Sequence, residues 1–473
     1  MNYIEQKGPH IKTKLNTSHM MRNLIIALIP IILFSFYKNG LKPFLDGNYT
    51  FYGMIYPILT ILVGILTGII IELIYAFIFK RKNIFNYIKH SYGALPGLFI
   101  ALVAPLNTPL YLIVLASFIG TITKLIFGGF GRNIFNPALI GYIVIFLFFG
   151  SVIASSGGVY NINELDATSK TTPLSYLADK DYLITNSDIT NNYSYTNLFL
   201  GFYPGSPGEV STVLILFGLI FLIITKTIKW RIPIYYLLTV FVMTLIIGLL
   251  NDLGIYYPLF QIITGGLLFG AVFMATDPVT SPVTKTGQRL FALFLGILTV
   301  SIRFLFIYPE GVMISILIMN IFVIFLDKIG IEKHLFKILS IIITIILIFT
   351  MSFYIAWKVK LTTEEINPSI DKTFTINKVT IDGNKTIYDV TVKAFYEIVA
   401  KITIENKKII NIIIINQHET YWDLIEDNDY IEKLISNQET LNDLDTITTA
   451  TKTSRGLKEM TEKTLFYHND KEK

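Results

Sequence analysis

The sequence predicts an all-α membrane bundle of about ten helices in two inverted repeats of five, followed by an eleventh helix and a small extracytoplasmic α+β domain. Three observations predict this fold class. Long apolar runs fill residues 1–357, and hydrophobic residues make up 52% of the chain. Only 15% of the residues are charged, whereas a soluble domain has about one quarter. From Lys358 onward the chain is polar and charged.

A transmembrane helix needs about 20 consecutive apolar residues. No small-residue cleavage site follows the first apolar run, which is therefore predicted to be a retained helix and not a signal peptide. We expect a membrane domain at 1–335 with an outer loop at 155–209, a single helix at 336–357, and a tail domain at 358–473. The predicted spans are 21–37, 51–79, 93–105, 109–127, 137–154, 210–226, 232–250, 257–275, 289–307, 311–326 and 336–357.

The basic residues between these spans predict the orientation, because Lys and Arg accumulate in cytoplasmic loops. A cytoplasmic N-terminus puts most Lys and Arg residues of the first 357 on the inner side. With eleven spans the tail domain then lies outside the cell membrane. The net charge of +5 reflects this topology and does not indicate a nucleic-acid partner. The basic residues left on the outer side are Lys38, Lys42, Lys170, Lys180 and Arg303.

Two predicted spans are interrupted. The third, 93–105, is short and contains Pro96, and the eighth, 257–275, contains the pair Gly265–Gly266. Each is third in its group of five, and an odd number of spans inverts the second group. Paired broken helices indicate a ligand or ion site near the middle of the membrane. The alternative is that Gly and Pro are simply frequent in transmembrane helices.

The residue types limit the chemistry. The chain has no cysteine, which excludes disulfides and thiolate-ligated iron–sulfur clusters. None of its six histidines lies in a predicted span, which argues against a bis-His haem inside the bundle. If the protein moves electrons, its carrier must be organic.

A polar run at the inner end of the fourth and fifth spans, Gly128–Ala138, combines glycines with the donors Arg132, Asn133 and Asn136. Glycines let a ligand approach the backbone closely, so the run suits a flavin or a phosphate. A helix–loop–helix corner with an interfacial Arg explains it equally well.

Three carboxylates lie in or near the spans. Asp277 stands among hydroxyl side chains and suits a cation with oxygen ligands, or it caps its segment. Glu72 lies inside span 51–79, where a carboxylate is functional by default, unless it snorkels to the inner surface. Glu209 stands at a helix start, where capping alone explains it. Asp277 and Glu72 form a possible cation path, and no metal site is predicted.

Alternating apolar and polar residues predict a small α+β domain in the tail. Turns are expected at Asp382–Gly383 and Asn406–Lys407. The strands are expected at 374–381, 402–406 and 409–415, and the helices at 428–437 and 455–466.

Two runs share the pattern Asp-x-x-Ser/Thr-x-x-Thr. One is Asp166–Leu174 in the outer loop and the other is Asp445–Ser454 near the end of the tail. Taken alone, the first run is a Ser/Thr-rich turn and the second is a loop that caps the last helix.

Several runs carry a resemblance to known families. The membrane half resembles the RnfD component of the Rnf electron-transport complex and the NqrB component of the sodium-pumping NADH:quinone reductase, from residue 8 to about residue 335. The tail is similar to the FMN-binding domain of the RnfG component, and His418-Glu419-Thr420 resembles a motif of that domain. The carrying runs of the membrane half are Gly8–Lys12, Gly128–Ala138, Pro204–Glu209, Phe273–Thr280 and Tyr308–Val312.

The resemblance implies that a flavin transferase attaches FMN through its phosphate to the last Thr of each pattern, Thr451 in the tail and Thr172 in the loop. The chain departs from the family pattern at Thr449, which replaces Gly, and at Lys170 and Thr171, which replace Gly and Ala. The retained residues of the pattern are Asp445, Thr448 and Ala450 in the tail and Asp166 and Ser169 in the loop.

The resemblance further implies a flavin-carrying subunit of an Rnf-type complex, in which an RnfD-like and an RnfG-like part are fused. Such a complex passes electrons between ferredoxin and NAD and exports Na⁺ or H⁺. This chain has no sequence motif of its own for NAD or ferredoxin, so other Rnf subunits are its expected partners. The sequence leaves open whether the bundle also binds a non-covalent flavin. The alternatives are a non-redox channel or transporter with an outer domain, and an extracytoplasmic flavin protein that pumps no ion.

Overall fold

The computed structural model describes most of the chain, and its contacts divide into two compact units. The first unit comprises Met1–Phe149, Ser156–Leu174 and Ile184–Ala356, and the second comprises Gly150–Ser155, Ser175–Leu183 and Trp357–Lys473. The described residues are 16–79, 84–106, 108–155, 172–179, 182, 189, 193–209, 211–306, 311–364, 374–382, 385–394, 396–405, 407–419, 421–438, 446–447 and 450–471.

The apolar part of the chain is helical. The first helix continues through a π-helical segment, Tyr37–Leu41, and a short turn, Lys42–Leu45. The helices are α1 (Thr17–Phe36), α2 (Phe51–Ile78), α3 (Ile84–Ser91), α4 (Ala94–Val103), α5 (Leu110–Ile126), α6 (Pro137–Ser155), α7 (Pro173–Asp179), α8 (Tyr195–Leu200), α9 (Thr212–Ile224), α10 (Arg231–Leu250), α11 (Tyr256–Ile263), α12 (Leu267–Phe269, continued by the π-helical Gly270–Met274), α13 (Lys285–Leu305), α14 (Val312–Ile331) and α15 (His334–Glu364).

These helices form the membrane bundle that the sequence predicts, and each predicted span coincides with a helix or a helix pair. Six of the described helices are long and apolar enough to cross a membrane, or seven if the bent pair α11–α12 is one span. The other four predicted spans, among them the third, are apolar helices of 10–17 residues. The protein is therefore a multi-pass membrane protein.

The interruption predicted in the eighth span is confirmed. Helices α11 and α12 meet at an angle of 67°. Gly265, between them, has φ +69°, a conformation that glycine adopts without steric cost. Directly before the third span, Tyr92 has φ +54° between α3 and α4.

Helices α2 and α4 pack with their backbones in direct contact. A Cβ atom on Gly97 would lie 1.9 Å from the carbonyl oxygen of Gly64, and one on Gly68 would lie 2.1 Å from that of Gly93. Small residues are what allow such close approach between membrane helices. This contact places the start of α4 directly against α2.

The second unit contains the predicted α+β domain. Its sheet is an antiparallel meander in the order β1-β2-β3-β4. Strand β2 was not predicted from the sequence, because its central Asp389 is a poor strand former. Its last helix starts at Thr451, four residues before the predicted start. The strands are β1 (Phe374–Asp382), β2 (Lys385–Lys393), β3 (Glu397–Glu405) and β4 (Lys408–Asn416), and the helices are α16 (Trp422–Asp427), α17 (Tyr430–Ser436) and α18 (Thr451–Lys471).

One face of this sheet packs against the helices. Tyr388 and Ile402 from the strands meet Leu434 of α17 and Leu457 of α18 in one buried core. Burying side chains of this size stabilises by about 1.5–3 kcal/mol each. The core fixes the position of α18, at whose first residue the predicted flavin acceptor lies.

Candidate functional site

A cavity with an open mouth lies in the first unit. Helices α1, α4 and α5, the loop before α6 and the loop after α12 surround it. Its lining is mostly apolar and aromatic, with a few polar groups, which is typical of cofactor sites. The lining residues are Met21, Leu24, Tyr92, Leu95, Pro96, Phe99, Lys124, Phe130, Asn133, Asn136, Pro137, Ala138, Phe273, Asp277 and Val279.

Three residues predicted from the sequence meet in this cavity, namely Asn133, Asn136 and Asp277. The Oδ1 atom of Asn133 is buried and has no hydrogen-bond partner among the described residues. Buried polar atoms are nearly always paired, so an unpaired one calls for an explanation. Arg132 is exposed and does not line the cavity.

The glycines of the loop before α6 shape this side of the cavity. Gly128, Gly129 and Gly131 have φ values of +99°, +90° and +87°, which side chains with a Cβ atom rarely adopt. At the end of the loop, Asn136 Oδ1 accepts a hydrogen bond of 3.1 Å from the N–H of Ala138. The loop therefore forms the corner between α5 and α6, which was one alternative from the sequence, and it also forms a wall of the cavity.

Asn320 is a site residue that the sequence analysis missed. It is buried in α14, and its Oδ1 accepts from the backbone N–H of Asn136 at 3.1 Å. Its Nδ2 donates to the carbonyl oxygen of Thr280 at 3.0 Å. One side chain thus joins the two loops that carry the cavity's polar residues. An Asn in an apolar helix was the available signal, because such residues are costly in a membrane.

We expect Asn320→Leu to lower the free energy of unfolding by about 2–4 kcal/mol, because it leaves a buried N–H and a buried C=O without partners. Thermal unfolding of the chain in nanodiscs measures this loss. The matched control is Asn251→Leu, which removes one hydrogen bond of 2.9 Å at the half-buried end of α10. Equal losses in the two variants would contradict the bridging role of Asn320.

Asp277 brings a carboxyl group to the cavity from the loop after α12. Thr280 Oγ1 donates to its Oδ2 at 2.9 Å. Burial raises the pKa of the Asp277 carboxyl, and this hydrogen bond partly opposes the rise. The group therefore binds a proton more readily than an exposed aspartate does, and the cavity loses negative charge as the pH falls.

A buried ion pair adjoins the cavity. Lys124 Nζ lies 2.6 Å from Glu72 Oε1, and the exposed fractions of the two side chains are 2% and 0%. Lys124 Nζ also donates to the carbonyl oxygen of Ser91, the last residue of α3. The alternative that Glu72 snorkels to the inner surface is therefore wrong. Lys124 is buried in the last turn of α5.

The run Tyr203–Ser211 contacts the broken helix α11–α12 as well as preceding α9. Tyr203 OH donates to the carbonyl oxygen of Ile263, the last residue of α11, at 3.3 Å. The Glu209 carboxylate is buried, and a Cβ atom on Gly266 would lie 2.8 Å from its Oε1. Glu209 therefore lies at the start of α12, where the helix dipole favours a negative charge.

In the second unit, Glu419 holds the first turn of α18. Its Oε2 accepts from Thr453 Oγ1 at 2.5 Å, and its Oε1 accepts from the backbone N–H of Tyr396 at 2.5 Å. The carboxylate is buried, with 7% of the residue exposed. This contact gives a place in the structure to the His418-Glu419-Thr420 motif, of which Thr420 lies outside the described residues.

A second contact fixes the loop before α18. Ser454 Oγ donates to the carbonyl oxygen of Ala450 at 2.9 Å and accepts from the N–H of Ile447 at 3.1 Å. Ala450 is 2% exposed. Thr451 is the first residue of α18, between these two anchors. Asp445, Thr448 and the side chain of Thr451 lie outside the described residues.

The predicted loop acceptor, Thr172, is half-buried and directly precedes α7. The next two residues, Pro173 and Leu174, are buried. Asp166 and Ser169 lie outside the described residues. Within the described ranges, no group of three or more His, Asp and Glu side chains has the geometry to hold a metal ion.

Comparison with known proteins agrees with both halves of this architecture. Residues 4–336 match the NQR2, RnfD, RnfE family, and residues 396–465 match the FMN-binding domain. The D component of a proton-translocating ferredoxin:NAD(+) oxidoreductase complex from Clostridium ljungdahlii is 34% identical, and the match covers 68% of this chain and 92% of that relative.

The names of two further relatives describe translocation of Na⁺, whereas the name of the first describes translocation of protons. The D component of a Na(+)-translocating ferredoxin:NAD(+) oxidoreductase complex from Acetobacterium woodii is 31% identical over 68% of this chain and 91% of its own length. The B component of a Na(+)-translocating NADH-quinone reductase from Chromohalobacter salexigens is 36% identical over 52% and 61%. The chain belongs to the NQR2, RnfD, RnfE family of ion-translocating oxidoreductase subunits and carries an FMN-binding domain at its C-terminal end.

Proposed function

We propose that this chain is the flavin-carrying membrane subunit of an Rnf-type ferredoxin:NAD oxidoreductase complex and relays electrons through covalently bound FMN, coupled to transport of Na⁺ or H⁺. The match of residues 396–465 to an FMN-binding domain carries the proposal. The family of residues 4–336 and the two relatives from ferredoxin:NAD(+) oxidoreductase complexes support the complex. The other Rnf subunits are then its partners, and a flavin transferase matures it.

The covalent site in the tail is Thr451. Glu419 and Ser454 fix the backbone on both sides of it, so the acceptor stands on an ordered helix start. A phosphate ester at this position is favoured because helix N-termini stabilise negative charge. Bound FMN would supply the electron-transfer chemistry, and an ester bond keeps it in place. Asp445 and Thr448 complete the attachment pattern.

Thr172 is the second covalent site, with Asp166 and Ser169. Like Thr451, it stands at a helix start, directly before α7. Both acceptors lie on the outer side of the membrane in the proposed topology, which has a cytoplasmic N-terminus and an extracytoplasmic tail domain. Two flavins on one chain are held at high effective concentration by the tether.

A third, non-covalent flavin occupies the inner cavity. Aromatic rings suit the flat face of a flavin, and Tyr92 and Phe130 stand there with ring centroids 4.8 Å apart. The unpaired Oδ1 of Asn133 would accept a hydrogen bond from an N–H of the flavin ring. Asn136 positions the same wall. Arg132, which is exposed, is left for a phosphate or a neighbouring subunit.

The bundle is built from two inverted repeats of five helices, and two parallel arrangements support this. In the first half, α3 ends at a break and Lys124 of α5 donates to the carbonyl oxygen of its last residue, Ser91. In the second half, α11 ends at a break and Arg303 of α13 donates to the carbonyl oxygen of Gln261 at 2.7 Å. Paired broken helices of this kind carry the ion sites of transporters, and the cation path runs by Glu72 and Asp277.

In-gel flavin fluorescence under denaturing conditions tests the covalent sites, on protein co-expressed with a flavin transferase. We expect partial loss of fluorescence in Thr451→Val and in Thr172→Val, and complete loss in the double variant. The matched control is Thr464→Val, on the same helix as Thr451, whose hydroxyl donates to the Met460 carbonyl. Full fluorescence in the double variant would contradict both sites.

The competing function is a channel or transporter with an accessory domain. The broken-helix bundle alone favours it as much as it favours a redox protein. Absence of covalent flavin from wild-type protein that has met an active transferase would leave the transporter as the better account. Covalent flavin with no ion movement on electron transfer would favour a flavin protein that pumps no ion.

A further inference from the structure

Among the described residues, the partners of the Lys124 ammonium group are all oxygen atoms. Its described partners are the Glu72 carboxylate at 2.6 Å and the carbonyl oxygen of Ser91. Ser91 is the last residue of α3, directly before the third span. The carbonyl oxygens at the C-terminal end of a helix carry a partial negative charge, which favours a cation. The lysine thus holds a position whose ligands suit a metal cation.

Three buried oxygens on α2 and α5 have no hydrogen-bond partner among the described residues. They are Glu72 Oε2, Thr121 Oγ1 and Ser117 Oγ, and all three residues are 0% exposed. Native structures contain few such groups. Ser117, Thr121 and Lys124 follow one another at helical spacing on α5, so the unpaired oxygens continue from the ion pair along one face.

The glycines of α2 and α4 bring these oxygens together. A Cβ atom on Gly68 would lie 3.4 Å from Thr121 Oγ1 and 2.1 Å from the carbonyl oxygen of Gly93. A Cβ atom on Gly93 would lie 2.4 Å from Glu72 Cγ. Glu72 and Thr121 therefore face the same backbone break from α2 and α5.

We propose that the Lys124 ammonium is an internal substitute for a small monovalent metal cation, and that lysine and cation alternate at Glu72, Ser91 and Thr121. This inference rests on the proposed function and deepens it, because it names a cation-binding site and the group that competes with the cation for that site. Either occupant keeps the site neutral, whereas a buried carboxylate without a partner costs several kcal/mol.

The cavity can receive the displaced Lys124 ammonium. Lys124 also lines the inner cavity, and Asp277 lines the same cavity. A lysine side chain has a flexible four-carbon stem, so its ammonium can move while its backbone stays fixed. When a cation binds at Glu72, the displaced Lys124 ammonium brings its positive charge into the cavity. This movement couples the cation-binding site to the proposed flavin site.

The test uses the full-length chain in nanodiscs and Na⁺ alone as the probe, with choline keeping the ionic strength constant. We expect Lys124→Met to unfold at lower temperature than wild type in choline, and Na⁺ to restore its stability. The Na⁺ midpoint should be at least about tenfold lower than in wild type, because the competitor is gone. An unchanged midpoint, or no response to Na⁺ in the variant, would overturn the proposal.

A milder pair of variants keeps the ion pair in place. Thr121→Val removes one proposed ligand and should raise the wild-type Na⁺ midpoint about tenfold. Thr123→Val is the control, since Thr123 Oγ1 donates to the carbonyl oxygen of Ile119 on the same helix. Equal midpoints in the two variants would overturn the proposal, as would stabilisation by protons that is independent of Na⁺. Flavin fluorescence of the same samples reports separately on the proposed function.

Discussion

Replacing Glu72 with glutamine is expected to lower the free energy of unfolding by about 3–5 kcal/mol. The change leaves the Lys124 ammonium buried without its counter-charge, and breaking one side of a buried ion pair is strongly destabilising. The ammonium keeps the Ser91 carbonyl, but a carbonyl dipole does not neutralise a charge. Denaturant unfolding in nanodiscs, at a pH where lysine is protonated, measures the loss.

The double variant Glu72→Gln/Lys124→Met separates charge from packing. It removes both charges, so we expect most of the stability lost in Glu72→Gln to return. The matched control is Glu332→Gln, at an exposed position after α14, which should change stability by less than about 0.5 kcal/mol. A double variant as unstable as Glu72→Gln would mean that the pair does not act as a unit.

Glu419→Ala is expected to cost the tail domain about 2–4 kcal/mol and to reduce flavin attachment at Thr451 severalfold. The change leaves the backbone N–H of Tyr396 and the hydroxyl of Thr453 without their charged acceptor, and hydrogen bonds to charged groups are worth about 1.5–3 kcal/mol each. The first turn of α18 then loses one of its anchors. In-gel fluorescence in the Thr172→Val background isolates attachment at Thr451.

Two comparisons make this test specific. Glu405→Gln removes the carboxylate of an exposed ion pair with Lys385, at 3.8 Å, and should cost less than about 1 kcal/mol. Thr453→Ser keeps the hydroxyl and should keep flavin attachment, whereas Thr453→Val should lose it in part. Normal flavin attachment in a folded Glu419→Ala protein would contradict the positioning role of Glu419.

Much of the fold could be predicted because its signals are local. Apolar length fixed the position of each membrane helix, and Gly265 marked the break before α12. In the tail, alternating residues indicated three strands, and the resemblance to an FMN-binding domain covered the rest. The strand β2 was not predicted because Asp389, a poor strand former, lies at its centre and the adjacent Ile387 and Tyr388 interrupt the alternation of apolar and polar residues.

The polar sites were harder, because their partners are distant in sequence. Glu72 and Lys124 are 52 positions apart, and the sequence around each residue does not indicate that the other is its partner. Asn320 forms a hydrogen bond with Asn136, 184 positions away. A single Asn in an apolar helix indicates a polar side chain that is costly to bury, but it does not indicate the partner. Glu419 stood in a suggestive motif, yet only the structure brings it to Thr453.

The most direct test of the central claim is the mass of the purified wild-type chain after co-expression with a flavin transferase, followed by sequencing of its peptides. The account predicts a mass excess of FMN less one water for each attached flavin, located on the peptides that contain Thr451 and Thr172. Flavin on Thr451 alone would keep the relay and remove the loop site. A wild-type chain with the unmodified mass would contradict the claim that this protein carries electrons on covalent FMN.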